Sequence, residues 1–437
     1  MKKLLLFTVD LLALYASLAL TLFLRYGQDF NRQYDIHLYP FLLIFALWLL
    51  VFYIANLYEA SLLRNNIFFY SALFQAIATA AGISVLFFYL LPFYGITPRT
   101  NLAIFVAIFT GLEFLLRYSL NNLFEKGLRK PVLIVGANAQ ALELAKFIKE
   151  NPQLGYELAH VVDLTPEGVS NLNHVIKDKN INTVVLSPEA YKTTEVIDLF
   201  YKSLGKKITF YNLSSLYERL TGKVLLGAID QIWFLENLNE GNKKFFEILK
   251  RATDIALALV LAVPTLLLLP FIFLAIKLTS QGPLIYGQTR TGRLGKSFKI
   301  IKFRTMRQDA EKETGAVWAT ENDPRITPVG KFLRKTRLDE LPQLWNILRG
   351  EMSFVGPRAE RPEFKKRLEH ISFYEERYLV KPGLSGWAQI SFRYGASASD
   401  AEEKLKYDLY YVKNRSLLLD LSIILKTIRI ALKQAGR

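Results

Sequence analysis

The chain of 437 residues has no cysteine and only four histidines. Without cysteine there can be no disulfide, thiolate metal site or cysteine nucleophile, and four histidines leave little room for a zinc site. Acids are also scarce: 39 Asp and Glu stand against 55 Lys and Arg, a formal charge of +16. A charge of that sign suits nucleic acid, anionic headgroups or phosphorylated substrates, so its position along the chain has to decide. Between Lys243 and Arg307 twelve basic residues face two acids, Glu247 and Asp254, and they enclose an apolar stretch instead of forming a tail. That arrangement favours a membrane surface over nucleic acid.

Apolar residues are plentiful, at 51% of the chain with a positive mean hydropathy of +0.19, which sets the protein apart from ordinary soluble enzymes. Four stretches, roughly Leu4 to Leu24, Leu38 to Leu57, Ile67 to Phe93 and Leu102 to Leu120, each approach the roughly 20 residues a helix needs to cross a bilayer. The first lacks a small-residue cleavage site and reads as a retained anchor. Lys2 and Lys3 precede it, while Arg117, Lys126, Arg129 and Lys130 gather at the end of the fourth. An even number of crossings with basic ends predicts both ends in the cytoplasm. Asp10 and Glu113 lie within spans, where ionisable groups mark either function or pairing near a basic flank.

From Lys130 the texture becomes α/β. Pro131 to Val135 reads as a buried strand entering a glycine turn and an amphipathic helix, Ala139 to Glu150, with further strands near His160 to Val162 and Thr183 to Leu186. The turn Gly136-Ala137-Asn138-Ala139-Gln140-Ala141 resembles a dinucleotide fingerprint whose second and third glycines are replaced. The expectation is a degenerate Rossmann-like domain with a structural or regulatory role. The predicted layout is a four-helix transmembrane bundle over 1–129, the Rossmann-like domain over 130–240 and a C-terminal catalytic α/β domain over 241–437.

The fifth apolar stretch, Ile255 to Ile276, contains Pro264 and Pro270, each of which removes a backbone donor and bends a helix. A full crossing would also carry the basic region Arg290 to Arg307 outside. A proline-broken re-entrant helix over about 252–279 answers both points, with Lys250, Arg251 and Lys277 meeting headgroups on one side.

Beyond it the chain places many cations around the adjacent acids Asp339 and Glu340. Cations and carboxylates together suit phosphoryl transfer, where positive charge offsets the developing anion and a carboxylate serves as nucleophile or metal ligand. A simpler role competes for Asp339. Thr336-x-x-Asp339 has capping-box spacing, followed by Pro342, an apolar face of Leu341, Leu344 and Leu348, and Gly350 as a stop. Neighbours on a helix point about 100° apart, so the two acids should have separate jobs.

In order, the region holds KRATD, QTRTGRLGKSFKIIKFRTM, DPRITPVGKFLRKTRLDELPQLWNILRGEMSFVGPR, KPGLSGWAQ and YDLYYVKNRSLLLDL. From Lys250 onward it closely resembles the catalytic domain of the bacterial sugar transferases, the polyprenyl-phosphate sugar phosphotransferases. The four spans and Rossmann-like middle resemble the large members that start exopolysaccharide, capsule or O-antigen synthesis. The resemblance implies that Asp339 is a nucleophile attacking the sugar-bearing phosphate of a UDP-sugar, expelling UMP and forming a phosphosugar-enzyme intermediate that a polyprenyl phosphate then resolves. It implies that Glu340 is the second member of the pair, with Mg²⁺ held by Asp339 or Glu340, and that Arg358, Arg334, Lys302 and Arg304 bind phosphate. Pro270 matches the proline that breaks the family's re-entrant helix. The implied partners are the UDP-sugar, the lipid phosphate and the bilayer, with a homodimer allowed and no nucleic acid; the implied location is the cytoplasmic face of a bacterial inner membrane.

Departures from the family pattern are Leu269 before Pro270, Arg337 where serine usually precedes Leu-Asp-Glu, and Ile390-Ser391-Phe392-Arg393 where Val-Asn-Gly-Arg is usual. Ser416 to Leu432, with Lys426, Arg429 and Lys433, reads equally as a docked amphipathic helix or an interfacial anchor. A competing class is the membrane-anchored nucleotide-sugar dehydratase or oxidoreductase. It would need an intact glycine fingerprint and a Tyr-x-x-x-Lys pair, which the turn at Gly136 and the residues after it do not supply.

Overall fold

The computed structural model describes residues 2–90, 99–127, 129–203, 207–238, 243–308, 310, 323–368, 370–392 and 398–432. The packing divides the chain into two compact units, Met1–Leu216 and Tyr217–Arg437.

The first unit opens with four helices, α1 (Lys2–Tyr26), α2 (Phe30–Ile54), α3 (Ile67–Leu90) and α4 (Arg99–Lys126). They coincide with the four expected spans, although the predicted end of the third at Phe93 lies outside the described residues. Leu14, Leu18, Phe41, Phe45, Trp48, Phe105 and Phe109 fill the bundle centre. Trp48 meets Phe109 edge-on at 5.0 Å, a favoured aromatic geometry. Leu12, Phe23, Phe74, Leu86 and Leu115 point outward and exposed, as lipid-facing side chains do. This is a membrane protein.

Asp10 and Glu113 are wholly buried, and both pair with Arg117, itself 0% exposed: Nη2 to Asp10 Oδ2 at 2.6 Å and Nε to Glu113 Oε1 at 2.6 Å. Arg117 also donates to the Leu57 carbonyl at 3.2 Å, fastening the 2–3 connection to the bundle.

The α/β layer of this unit consists of β1 (Lys130–Val135), α5 (Ala139–Glu150), β2 (Tyr156–Val162), α6 (Pro166–Asp178), β3 (Thr183–Leu186), α7 (Thr194–Tyr201), β4 (Thr209–Asn212) and the start of α8 (Leu213–Thr221). The strands form one parallel sheet in the order β2-β1-β3-β4. Lys2 Nζ donates to the Gln153 carbonyl at 2.6 Å and Gln153 Nε2 to the Ser61 carbonyl at 3.0 Å, so layer and bundle pack as one body.

The glycine turn is filled by the protein itself. Gly136 has φ +96°, and a Cβ there would lie 2.0 Å from Ser187 Oγ. Asn138 caps α5 by accepting from Ala141 N at 2.8 Å, and its amide donates to Glu189 at 2.8 Å. A carboxylate thus stands beside the helix start where a dinucleotide would need to bring its pyrophosphate.

The second unit begins earlier than composition suggested. Residues 217–238, expected in the middle domain, pack Val224, Ile229, Trp233 and Phe234 against Leu368, Ile371, Tyr374 and Leu405, including α9 (Gln231–Asn237). Then come α10 (Lys244–Thr279), the antiparallel hairpin β5 (Ile285–Thr291) and β6 (Ser297–Phe303), α11 (Pro328–Lys335), α12 (Gln343–Arg349), β7 (Ser353–Val355) and α13 (Pro362–Leu368). The unit closes with β8 (Gly383–Ser385), which pairs in parallel with β7, then α14 (Trp387–Ser391), α15 (Ala398–Asn414) and α16 (Leu417–Leu432). Arg393 and Lys433 lie outside the described residues.

The expected break at Pro270 does not interrupt α10, which stays helical through both Pro264 and Pro270. A proline bends a helix without having to end it. Both ends of α10 dock on the same unit. Near its start, Asp254 accepts from Ser353 Oγ and Phe354 N, each at 3.0 Å. Near its end, Ile272 and Ile276 pack on Phe303 and Leu333, and Ser280 accepts from Arg304. Leu259, Val260, Val263, Leu266, Leu267 and Phe271 are exposed between them. Lys250 and Arg251, expected at headgroups, bond to protein instead: Lys250 to Asp420 at 2.5 Å, Arg251 to the Ile347 and Leu348 carbonyls at 2.6 and 2.7 Å. Arg251 therefore satisfies the free carbonyls at the end of α12.

Candidate active site

The acids sit in a single tight turn, Leu338–Glu340, between α11 and α12. α11 starts at Thr327, whose Oγ1 accepts from Gly330 N at 2.9 Å, with Pro328 in the first turn. Gly330 lets this helix lie against the KFRTM segment, because a Cβ there would be 2.0 Å from the Thr305 carbonyl oxygen. The chain then reverses through Arg337, held in the left-handed region at φ +60°. A non-glycine residue there carries of order 1–2 kcal/mol of strain, which the surrounding packing must outweigh.

The capping role for Asp339 is not found. Thr336 Oγ1 donates back to the Phe332 and Leu333 carbonyls at 2.9 and 3.2 Å, and α12 has no side-chain cap. Asp339 is only 7% exposed and its Oδ1 has no hydrogen-bond partner among the described residues. Gly350 does end α12, at φ +79°.

Glu340 is the opposite case. Its Oε1 accepts from Lys302 Nζ at 2.7 Å, with Arg358 Nη2 at 3.7 Å, while Arg337 Nη1 lies 3.8 Å from its Oε2. Register places Lys302 there, since β6 pairs it with Tyr286 across the hairpin. Arg358 arrives from the other side. The β7–β8 pair brings the GPR and KPG segments together so closely that a Cβ on Gly383 would lie 2.1 Å from Gly356 N.

These surroundings drive the two carboxyls apart. Burial pushes Asp339 up to about 6, with Lys302 opposing and the Glu340 charge assisting. Burial also works against ionised Glu340, but Lys302, Arg358 and Arg337 outweigh it and hold the group down at about 2. Divergence of this kind separates the roles of paired acids. Lys302 is lowered by burial, with Glu340 opposing.

Of the cations expected to bind phosphate, Lys302 and Arg358 meet at Glu340. Arg334 donates from Nε to Thr305 Oγ1 at 2.8 Å and bears on Asp339 through its charge. Arg304 is not brought to the carboxylates; its Nη2 holds the Ser280 carbonyl and hydroxyl at 2.9 and 2.7 Å. Two residues that sequence reasoning did not single out belong to the surroundings. Arg290 lines the same cavity as Lys302, Glu340, Gln343 and Arg358, and burial together with the Arg358 charge lowers it to about 10. Arg377, buried against Asp408 at 2.7 Å, donates to the Arg358 carbonyl at 3.1 Å and fixes that segment. Arg290 stands in the quoted QTRTG run, but nothing in the sequence pointed it or Arg377 toward the acids. Among the described residues no three His, Asp or Glu gather as a metal cluster.

The site and the apolar helix beside it define a membrane-associated enzyme built to handle phosphate groups. The bacterial sugar transferase family matches residues 245–434, and the chain belongs to it. It is 42% identical over 233 residues to a UDP-N-acetylgalactosamine-undecaprenyl-phosphate N-acetylgalactosaminephosphotransferase of Aeromonas hydrophila, covering 52% of this chain and 53% of that protein. It is 34% identical over 324 residues to the UDP-glucose:undecaprenyl-phosphate glucose-1-phosphate transferase of Escherichia coli K12, covering 69% and 67%. A sugar transferase of Haemophilus influenzae is 31% identical over 373 residues, 76% of each chain. The match thus spans about half of the first relative and two thirds or more of the other two.

Proposed function

We propose that the chain transfers a sugar 1-phosphate from a UDP-sugar to undecaprenyl or another polyprenyl phosphate. The observation that carries this reading is a buried Asp339 with an unpartnered oxygen beside a Glu340 already bonded by cations. Asp339 is the nucleophile: its carboxylate oxygen forms a bond to the sugar-bearing phosphorus, the bond from that phosphorus to the UMP oxygen breaks, and UMP leaves with the electron pair. The lipid phosphate oxygen then attacks the same phosphorus, and the carboxylate departs unchanged. Glu340 holds Lys302 and Arg358 in place, and with Arg290 these cations face the phosphoryl oxygens where charge develops.

Mg²⁺ fits this donor set. Magnesium is commonly bound by one or two carboxylates with substrate phosphates completing its shell; the unpartnered Oδ1 of buried Asp339 is such a donor, and Asp339 or Glu340 would hold the ion. Bound there, it would add positive charge at the transferring phosphate.

The helix α10 is read as re-entrant, with the catalytic unit on the cytoplasmic face. Docking of both its ends on one unit, with an exposed apolar middle, supports that reading. The filled turn at Gly136 argues against a dehydratase or oxidoreductase working through the α/β layer. The deciding experiment measures UMP release from a panel of UDP-sugars in membranes containing polyprenyl phosphate and Mg²⁺. One sugar should support release by the wild type and none by Asp339→Asn; unchanged release from the variant would remove Asp339 from its role.

A further inference from the structure

A second charged cavity lies at the foot of α10, lined by Glu247, Lys250, Arg251, Asp254, Lys381 and Arg415. It shares no lining residue with the cavity holding Lys302, Glu340 and Arg358. Most of its charges are used internally. Lys250 pairs with Asp420, Arg251 caps α12, Asp254 holds the start of β7, and Arg415 Nε stands 3.6 Å from Glu247. Lys381 differs, because its ammonium has no hydrogen-bond or ion-pair partner among the described residues. It also faces another cation: a Cβ on Gly350 would lie 3.4 Å from Lys381 Nζ and 3.6 Å from Arg251 Nη2. Burial and the Arg251 charge disfavour the protonated amine and outweigh the opposing Asp254 and Glu247 charges, an arrangement that an incoming anion relieves.

The position of the cavity suggests the source of that anion. α10 exposes Phe245 and Ile248 at its foot and Leu259 and Val260 beyond Asp254, so exposed apolar side chains flank the cavity along the helix. α16, whose Asp420 accepts from the lining residue Lys250, exposes Leu418 and Leu421. The charges of the cavity therefore stand among exposed apolar side chains of two helices, the mixed surface that meets lipid headgroups.

We propose that this cavity binds the phosphate group of an anionic phospholipid, with Lys381 as its principal contact. The proposal does not depend on the transfer reaction. Full-length protein in neutral detergent would be given phosphatidylglycerol or phosphatidylcholine, and the retained lipids counted by native mass spectrometry. Wild type and Lys381→Arg should retain phosphatidylglycerol preferentially. Lys381→Gln should lose about fivefold in affinity, the effect of one basic group at an anionic surface, while Lys146→Gln, on an exposed helix face, should lose none. In unaltered protein, phosphatidylglycerol should also slow acetylation of Lys381 and phosphatidylcholine should not, a readout that needs no variant to fold. Equal retention by Lys381→Gln, or unprotected Lys381, would overturn the site. Complete displacement of phosphatidylglycerol by millimolar inorganic phosphate would overturn its assignment to lipid.

Discussion

Replacing Asp339 with asparagine should have two opposite effects, ending UMP release while making the second unit more stable. In the folded protein Asp339 is 7% exposed and its carboxyl titrates near 6, against an ordinary 3.8. Converted at 1.36 kcal/mol per pH unit, the ionised side chain costs the fold about 3 kcal/mol at pH 8. The sign follows from the direction. A carboxyl raised on folding holds its proton more tightly in the native state, so no stability is lost below pH 4. The loss grows as pH rises through 4 to 6 and is complete above that. Asparagine removes the charge without removing the volume, so melting at pH 8 should rise by about 6–12 °C for a unit of this size, with little change at pH 4. Thermal unfolding of both proteins in the same nanodiscs at the two pH values measures this. A variant that melts at or below the wild-type temperature at pH 8, or one that gains equally at both pH values, would refute the claim that Asp339 is held ionised at a cost to the fold.

Lys302→Met removes the strongest opposing charge beside both acids, so the acid limb of single-turnover UMP release should move from about pH 6 to a higher pH. If Asp339 then titrated at about 7, half of it would be ionised at neutrality instead of roughly nine-tenths; an unmoved limb would separate Lys302 from Asp339. Arg117→Leu strands two buried carboxylates in the bundle and should destabilise it by about 3–5 kcal/mol. Adding Asp10→Asn and Glu113→Gln should recover much of that loss in protease resistance of the full chain, and no recovery would show that packing, not charge, holds the bundle.

What was legible in the sequence is what is local. The four spans, the parallel α/β order and the Asp339-Glu340 pair rest on contiguous patterns, and each appears in the structure near its expected residues. Lys302 was named only through the family resemblance, and the pairing of β6 with β5 is what brings it to Glu340. Arg304 is not brought there, since it lies just past the end of β6 and takes its direction from Ser280. Thr336 has the spacing of a capping box, yet the left-handed turn at Arg337 removes it from the following helix. Residues 217–238 show no composition change that says which side they pack on, and only the partners Leu368 and Leu405 assign them. Arg290 and Arg377 are separated from the acids by tens of residues, so only tertiary packing reveals their part.

A helix fastened to one folded body at both ends has little freedom to tilt or slide on its own. Most membrane helices absorb a change in bilayer thickness by doing one or the other. With Asp254 tied at one end of α10, and Ile272, Ile276 and Ser280 at the other, such adjustment would displace the turn that carries Asp339 and Glu340 as well. On the re-entrant reading proposed for α10, the lipid around the helix has to deform instead, thinning or thickening beside the protein, while the distance from the acids to the headgroup plane stays set by the chain.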